Sequence, residues 1–410
     1  MLKQNLPEPL RGIEIPSFTH DSIVKRLPEI ARRTLAENDF PPSVVAKIEQ
    51  LIAEIPAGPI RGVDLPLAPY AADWEGYIRP YLGQDWLSVP WFFAEEYFYV
   101  RILEATDYFH PGPGQGVDPY ALQKRLGLES TRDAIRLLSE QLAALHPDRQ
   151  GFFDVIHRLM LIALWGNQND LSLWPASQAD DPQVAAGGGG RSAMRESLEH
   201  LLVDERPAAI HHLKTRNLDT ARVDFLIDNA GYELVCDLAL ADILLAYGQH
   251  SRVVFHVKCH PVFVSDALPK DVLDTLTFLK NLDHAAARDF AARLDGHLAA
   301  GRFRVLSHPF WTSPLPMWEL PDELAGELAQ ADLLISKGDA NYRRLLGDRH
   351  WPLDTPFGDV LAYLPVAVLS LRTLKSEIAV GLSPSQIPQH DPQWMSNGRW
   401  GLIQFAARRV

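Results

Sequence analysis

Cysteine is almost missing from this chain: Cys236 and Cys259 are the only two in 410 residues. Neither a disulfide framework nor a multi-cysteine zinc site can be built from them, and a reducing compartment suits such a sequence. Positive charge is also scarce, with 39 Lys and Arg against 52 Asp and Glu. That balance argues against a protein whose main business is a nucleic-acid backbone, although it leaves room for a local basic pocket. No apolar run reaches the ~18 residues of a membrane span, and the segment opening at Met1 lacks the apolar stretch of a secretory leader. The expectation is a cytoplasmic protein with neither a membrane nor a nucleic acid as partner. What is plentiful is ordinary: hydrophobic residues make up 47% of a chain long enough for two or three domain-sized units.

The first half reads as helix after helix. A proline-punctuated arm precedes an aromatic run, Trp91 to Arg101, that starts at Pro90 and is too apolar to be exposed. Glu95, Glu96 and Arg101 within it are read as a solvated stripe or as internal ion pairs, because charges are mostly exposed or paired. Gly112, Gly114 and Gly116 do not make a nucleotide fingerprint, since Pro111 and Pro113 interrupt them and no strand precedes them. Helices are expected over 120–126, 131–145, 152–164 and 193–203, with Trp165 to Ser172 as a turn. Four consecutive glycines, Gly187 to Gly190, lack the following Lys-Ser or Lys-Thr of a P-loop and read as a surface loop. The boundary is placed nearby, giving a helical domain over 1–205 and an α/β/α catalytic domain over 206–410. Adjacent His211 and His212 would project in different directions and are a poor metal pair.

The second half alternates. Strands are expected over 223–227, 253–257, 303–306, 333–335 and 366–371, separated mostly by helices, including 232–247, 272–279, 285–298 and 342–346. This calls for an α/β fold, a three-layer α/β/α Rossmann-like architecture with a mainly parallel sheet. Ligands of such sheets sit at the carboxyl ends of the strands. There the apolar run Val223 to Ile227 stops at Asp228-Asn229-Ala230-Gly231. An acidic residue beside an amide offers hard oxygen ligands for a divalent cation, while the same residues also serve as turn and helix-cap residues. The later strands run into Lys258 to Asp266, into Ser336-Lys337-Gly338-Asp339, and into Arg372-Thr373-Leu374-Lys375. Three loops thus bring carboxylates and a fourth brings two cations to one edge. Oxygen ligands with waters and a phosphate oxygen suit magnesium or manganese, and Arg372 and Lys375 suit phosphoryl charge.

The set Asp228 to Glu233, Val264-Ser265-Asp266, Lys337 to Arg343 and Arg372 to Lys375 resembles the metal-dependent damage-control phosphatases, in the branch with an Arg-Thr-x-Lys motif. The likeness runs through most of the chain, from Pro90-Trp91 to Asn397–Gln404. It implies that Asp228, Asn229 and Asp266 hold the cation; the expectation is a Mn, Mg, Ni or Co ion there, with Asp228 and Lys375 catalytic. It also implies that Asp339, Asn341, Tyr342, Arg343 and Lys375 face the substrate; Arg372, suited to phosphoryl charge, and Glu233, one helical turn in, are counted with them. The implied substrates are small phosphate esters, notably sugar phosphates, and a helical N-terminal half is implied to cap the α/β/α half.

Three rivals remain. S-adenosylmethionine-dependent methylation of protein carboxylates, attributed to a relative in this branch, normally goes with a glycine-rich strand exit, where this chain has Asp228 and Asn229. An aspartyl-phosphate phosphatase would need a second Asp where Ala230 stands. A non-catalytic sensor of sugar phosphates would bind without turnover.

Overall fold

The computed structural model describes residues 6–145, 151–166 and 198–409. Apolar side chains along its strands alternate between two cores, and that alternation dictates layers. Leu333, Ile335, Leu369 and Leu371 enter one core, whereas Leu334 and Val368 enter the other, as the two-residue repeat of a strand requires. A sheet apolar on both faces must be covered on both. Its strands are β1 (Leu201–Asp204), β2 (Arg222–Leu226), β3 (Arg252–Val257), β4 (Phe303–Ser307), β5 (Leu333–Lys337), β6 (Val368–Thr373) and β7 (Gly401–Ala406). They lie in the order β1-β7-β6-β5-β2-β3-β4. Strands β2 to β6 are mutually parallel, β7 pairs antiparallel with β6, and β1 runs parallel to β7. This is the expected α/β fold with a mainly parallel sheet.

All five expected strands are present, and two more join them. Residues 201–203, expected as the end of a helix, are extended instead, because Leu201 and Val203 pair with Gly401 and Leu402. A short run of apolar residues carries no sign of a partner at the far end of the chain. The Gly187 to Gly190 loop and residues 167–172 of the expected turn lie outside the described residues.

Helices α1 (Trp91–Ala105), α2 (Gly151–Trp165), α3 (Tyr232–Tyr247), α4 (Pro269–Asn281), α5 (Ala285–Ala299) and α6 (Gly338–Leu346) build the outer layers. The second to fifth of these share one core with one face of the sheet, and α1 and α6 share the other. Every residue of α1 except Glu104 is buried. Its charges are internal ion pairs: Glu95 meets Arg343, Glu96 meets Arg344 at 2.9 Å, and Arg101 meets Glu54 at 2.7 Å. A buried charge without a partner costs several kcal/mol, so the first two pairs fix how α1 docks on α6 and the third ties α1 to the helix Pro42–Glu54. Strand β2 continues to β3 on one side and has β5 on the other. The sheet therefore reverses its winding between β2 and β5, the place where open α/β sheets leave a crevice.

Candidate active site

Asp228 lies at that crevice, two residues beyond the end of β2. The loops after β2 and β3 are zipped together there. Ala230 N donates to Ser265 O at 2.7 Å and Ala267 N to Asp228 O at 2.8 Å, around a bridge between Asn229 and Asp266. This sets Asp228 beside Asp266. The approach bends through Phe263 and Val264, both at positive φ (48° and 68°). Each costs about 1–3 kcal/mol of backbone strain, and Phe263 is held by rings of α1, 5.2 Å from Tyr99 and 6.1 Å from Phe92 between centroids. Glycine is required at the neighbouring turn. Gly338 sits at φ +77°, and a Cβ on it would lie 1.7 Å from Asp228 Oδ2.

The side chains form one polar cluster. Asn229 Nδ2 donates to Asp228 Oδ2 and to Glu233 Oε2, both at 2.9 Å, and Ser265 Oγ donates to Asn229 Oδ1. Lys258 Nζ lies 3.3 Å from Asp266 Oδ2 and donates to Asn341 Oδ1 at 3.0 Å. Asn341 Nδ2 in turn donates to the carbonyls of Lys337 and Ile227, at 2.9 and 3.1 Å, tying α6 to β2. Burial, then the charges of Asp266 and Glu233, push the Asp228 carboxyl well above its usual range, against the pull of Lys258 and Lys375. Burial also raises Asp266, opposed by Lys258. Burial is thus the largest influence on both carboxyls, with the lysines working against it.

The residues after β5 and β6 divide in two. Asp339 Oδ1 accepts from Arg372 Nε (2.8 Å), Ser376 Oγ (3.0 Å) and Lys375 N (3.1 Å). Burial would raise its pKa, but Arg372 and Arg343 hold it below the usual aspartate value. Arg372 is fully buried, its remaining donors on Ile378 O and on Ser376. It stacks 4.1 Å from the Tyr342 ring centroid, and the Tyr342 hydroxyl donates to Gln404 Oε1 at 3.0 Å. Arg343 is bidentate to Asp348 at 2.8 and 2.9 Å, bonds Glu95 and lies 3.5 Å from the Trp91 ring centroid. The structure thus brings Asp228, Asn229, Glu233, Asp266 and Asn341 together, with the Lys375 charge felt at Asp228. Tyr342, Arg343 and Arg372 are engaged beneath the site. Lys375 is exposed, and its ammonium has no hydrogen-bond partner among the described residues.

Sequence reasoning gave no role to Lys258, Lys337 or Asp237. Lys337 is fully buried, 3.1 Å from Glu233 and 3.0 Å from Asp237. Burial alone would favour the neutral amine, but those carboxylates keep its pKa above the ordinary lysine value. A signal was available: Asp237 lies four residues after Glu233, one helical turn on, in an otherwise apolar stretch of α3.

Residues 19–389 match the damage-control phosphatase ARMT1-like domain. The chain belongs to the ARMT1-like damage-control phosphatase family. Among curated members, Damage-control phosphatase ARMT1 of Mus musculus is 33% identical over 343 residues, covering 78% of this chain and 75% of its own. The Homo sapiens protein of that name is 32% identical over 345 residues, with the same coverage. A crystal structure of a DUF89 family protein from Pyrococcus horikoshii aligns over 87% of this chain and 92% of its own, with 12% identity and a TM-score of 0.46.

The metal that the resemblance implies for this ARMT1-like chain can be tested against its donors. Among the described residues no three His, Cys, Asp or Glu side chains form a ready-made cage. The donors at hand are two carboxylates and an amide, hard oxygens that suit a cation completing its shell with water and substrate oxygens. Asp266 Oδ2 is buried with the Lys258 ammonium 3.3 Å away as its charge partner, and the missing Cβ of Gly338 lets the Asp228 carboxylate sit against the turn into α6. The residues fit a divalent ion.

Proposed function

We propose that this chain is a divalent-metal-dependent phosphatase acting on a small phosphate ester, with Asp228, Asn229 and Asp266 holding a Mn, Mg, Ni or Co ion. One observation carries the reading: buried carboxylates from two strand exits meet at the sheet's switch point, within the field of the Lys375 ammonium, which has no hydrogen-bond partner among the described residues. Family membership supports phosphate-ester hydrolysis as the reaction class. A bound divalent ion would polarise the phosphoryl oxygens and orient the nucleophile. Lys375 would neutralise charge on the phosphoryl oxygens, a role suited to a flexible point charge. Asp339 is held by Arg372 and Ser376 through Oδ1. Its Oδ2 takes no hydrogen bond from the described residues and is free to accept from a substrate hydroxyl, which favours sugar phosphates. Glu233, anchored by Lys337, orients Asn229. A second reading has Asp228 attack phosphorus directly, and trapping a phosphoaspartate distinguishes it.

The test is a panel of phosphorylated metabolites incubated with the protein and each of the four cations, read as phosphate release. Turnover of at least one sugar phosphate is expected. Ligand binding without release would instead support a sensor, and S-adenosylmethionine-dependent carboxyl methylation would support the methyltransferase reading. Absence of the glycine-rich turn at Asp228-Asn229 stands against the latter.

A further inference from the structure

A second concavity lies at the far end of α6. Asp339 lies in the first turn of that helix and Gly347 caps it, about 12 Å along at 1.5 Å per residue. A cavity of about 520 Å³ opens there between the N-terminal arm, α1 and the 314–316 loop, large enough for a small organic molecule. None of Asp228, Asp266, Asp339 or Lys375 lines it. Its wall is aromatic at Tyr77, Tyr81 and Phe93 and cationic at Arg11, Arg344 and Arg349.

The cations are incompletely used. Arg344 pairs with Glu96 and bonds the carbonyls of Ser313 and Leu315, yet its Nε–H has no partner although the residue is 1% exposed. Arg349 gives one bond to Pro7 O and Arg11 gives one to Ser88 O. Neither has a carboxylate partner among the described residues, and the Arg349 Nε–H is also unmatched. Of the acids on the wall, Asp348 is taken by Arg343, while Glu8 is exposed at the mouth. Guanidinium forks bind carboxylates and phosphates in two-point fashion, and aromatic rings take flat bodies.

We propose that this cavity is a second, non-catalytic ligand site for a small flat organic anion, its acidic group on Arg11 and Arg349 and its ring against Tyr77, Tyr81 and Phe93. A nucleoside monophosphate and an aromatic carboxylate share that chemistry. Gly76 supplies a clean test: it lines the cavity within the helix Ala71–Ile78, and a Cβ on it meets nothing within 4 Å. Gly76→Trp therefore adds a bulky side chain to the cavity's lining with no clash at its Cβ, whereas Arg349→Gln also removes the bond to Pro7.

The experiment titrates 8-anilinonaphthalene-1-sulfonate into the full chain, followed by fluorescence, and then displaces it with adenosine monophosphate or with naphthoate. Saturable binding at one site is expected, weakened about tenfold or more by Arg349→Gln, as loss of a charge-assisted bond implies. Gly76→Trp should abolish it and Lys375→Ala should leave it unchanged. Displacement by the nucleotide identifies a nucleoside phosphate as the ligand type, and displacement by naphthoate an aromatic acid. The proposal is overturned by unsaturable binding, by full binding in Gly76→Trp, by loss in Lys375→Ala, or by displacement with neither compound.

Discussion

Two lysines of the same strand-exit motifs are expected to behave in opposite ways. Lys375 is exposed and its ammonium is free of hydrogen bonds among the described residues. Lys375→Ala should therefore change unfolding stability by no more than about 0.5 kcal/mol. It should lower kcat/KM by about 2–4 kcal/mol of transition-state stabilisation, with cation affinity unmoved in calorimetry. Lys337 is locked between Glu233 and Asp237. Lys337→Met strands two buried carboxylates and should cost about 3–5 kcal/mol in a urea titration. Which lysine would be buried was not readable beforehand, because α3, packed behind the strand, decides it. The same holds for Arg372 and Arg343: a motif names the residues, but only packing commits their donors to Asp339, Asp348 and Glu95.

At the scale of elements, the turn from β5 into α6 is the tightest constraint on the site. Gly338→Ala must either leave φ +77° or push Asp228 aside, since its Cβ would fall 1.7 Å from Oδ2. The strain is about 1–3 kcal/mol, and displacement of Asp228 adds a loss of phosphate release. A lower melting temperature with activity down by about 100-fold or more is expected, the scale at which misplacement by roughly an ångström acts. Strands β2 to β6 were legible because each is a short, largely apolar run that stops at polar residues, Asp228, Lys258, Ser307, Ser336 and Arg372 in turn. Strands β1 and β7 were not: β1 has only four residues, and its stability comes from pairing with β7 rather than from its own pattern. The cluster of Asp228, Asn229 and Asp266 was legible because parallel strands open their exits on one edge. The antiparallel zip between Asn229 and Asp266 was not, since it depends on Phe263 and Val264 adopting positive φ without glycine.

At the scale of the whole molecule, ion pairs tie the helical half to the sheet half. Lys124 bridges Asp118 and Asp271, at 3.0 and 2.8 Å, with all three side chains buried. Burial alone would raise the Asp271 pKa, but Lys124 and Lys270 hold it below the usual aspartate value. The unfolded chain therefore takes up this proton first as pH falls. The tie contributes fully above the unfolded aspartate pKa, about 3.9, and its contribution is lost as pH drops through the lower, folded value. Asp271→Asn should lower stability near neutral pH and flatten the acid limb below about pH 4, as read from urea midpoints across that range. Continuity of the core across both halves, with Trp91 and Tyr97 alongside Leu226 and Tyr342, makes the loss global rather than local.

The central claim is that the strand-exit carboxylates hold a divalent ion on which phosphate-ester hydrolysis depends. It is tested most directly by the rate of phosphate release from chelator-stripped protein as manganese is added back. The account predicts negligible release without the ion and a saturable rise with it. In Asp266→Ala that rise should be lost, whereas Lys375→Ala should keep the half-saturating concentration at a reduced plateau. Undiminished release in excess EDTA, or an unchanged manganese dependence in Asp266→Ala, would contradict it.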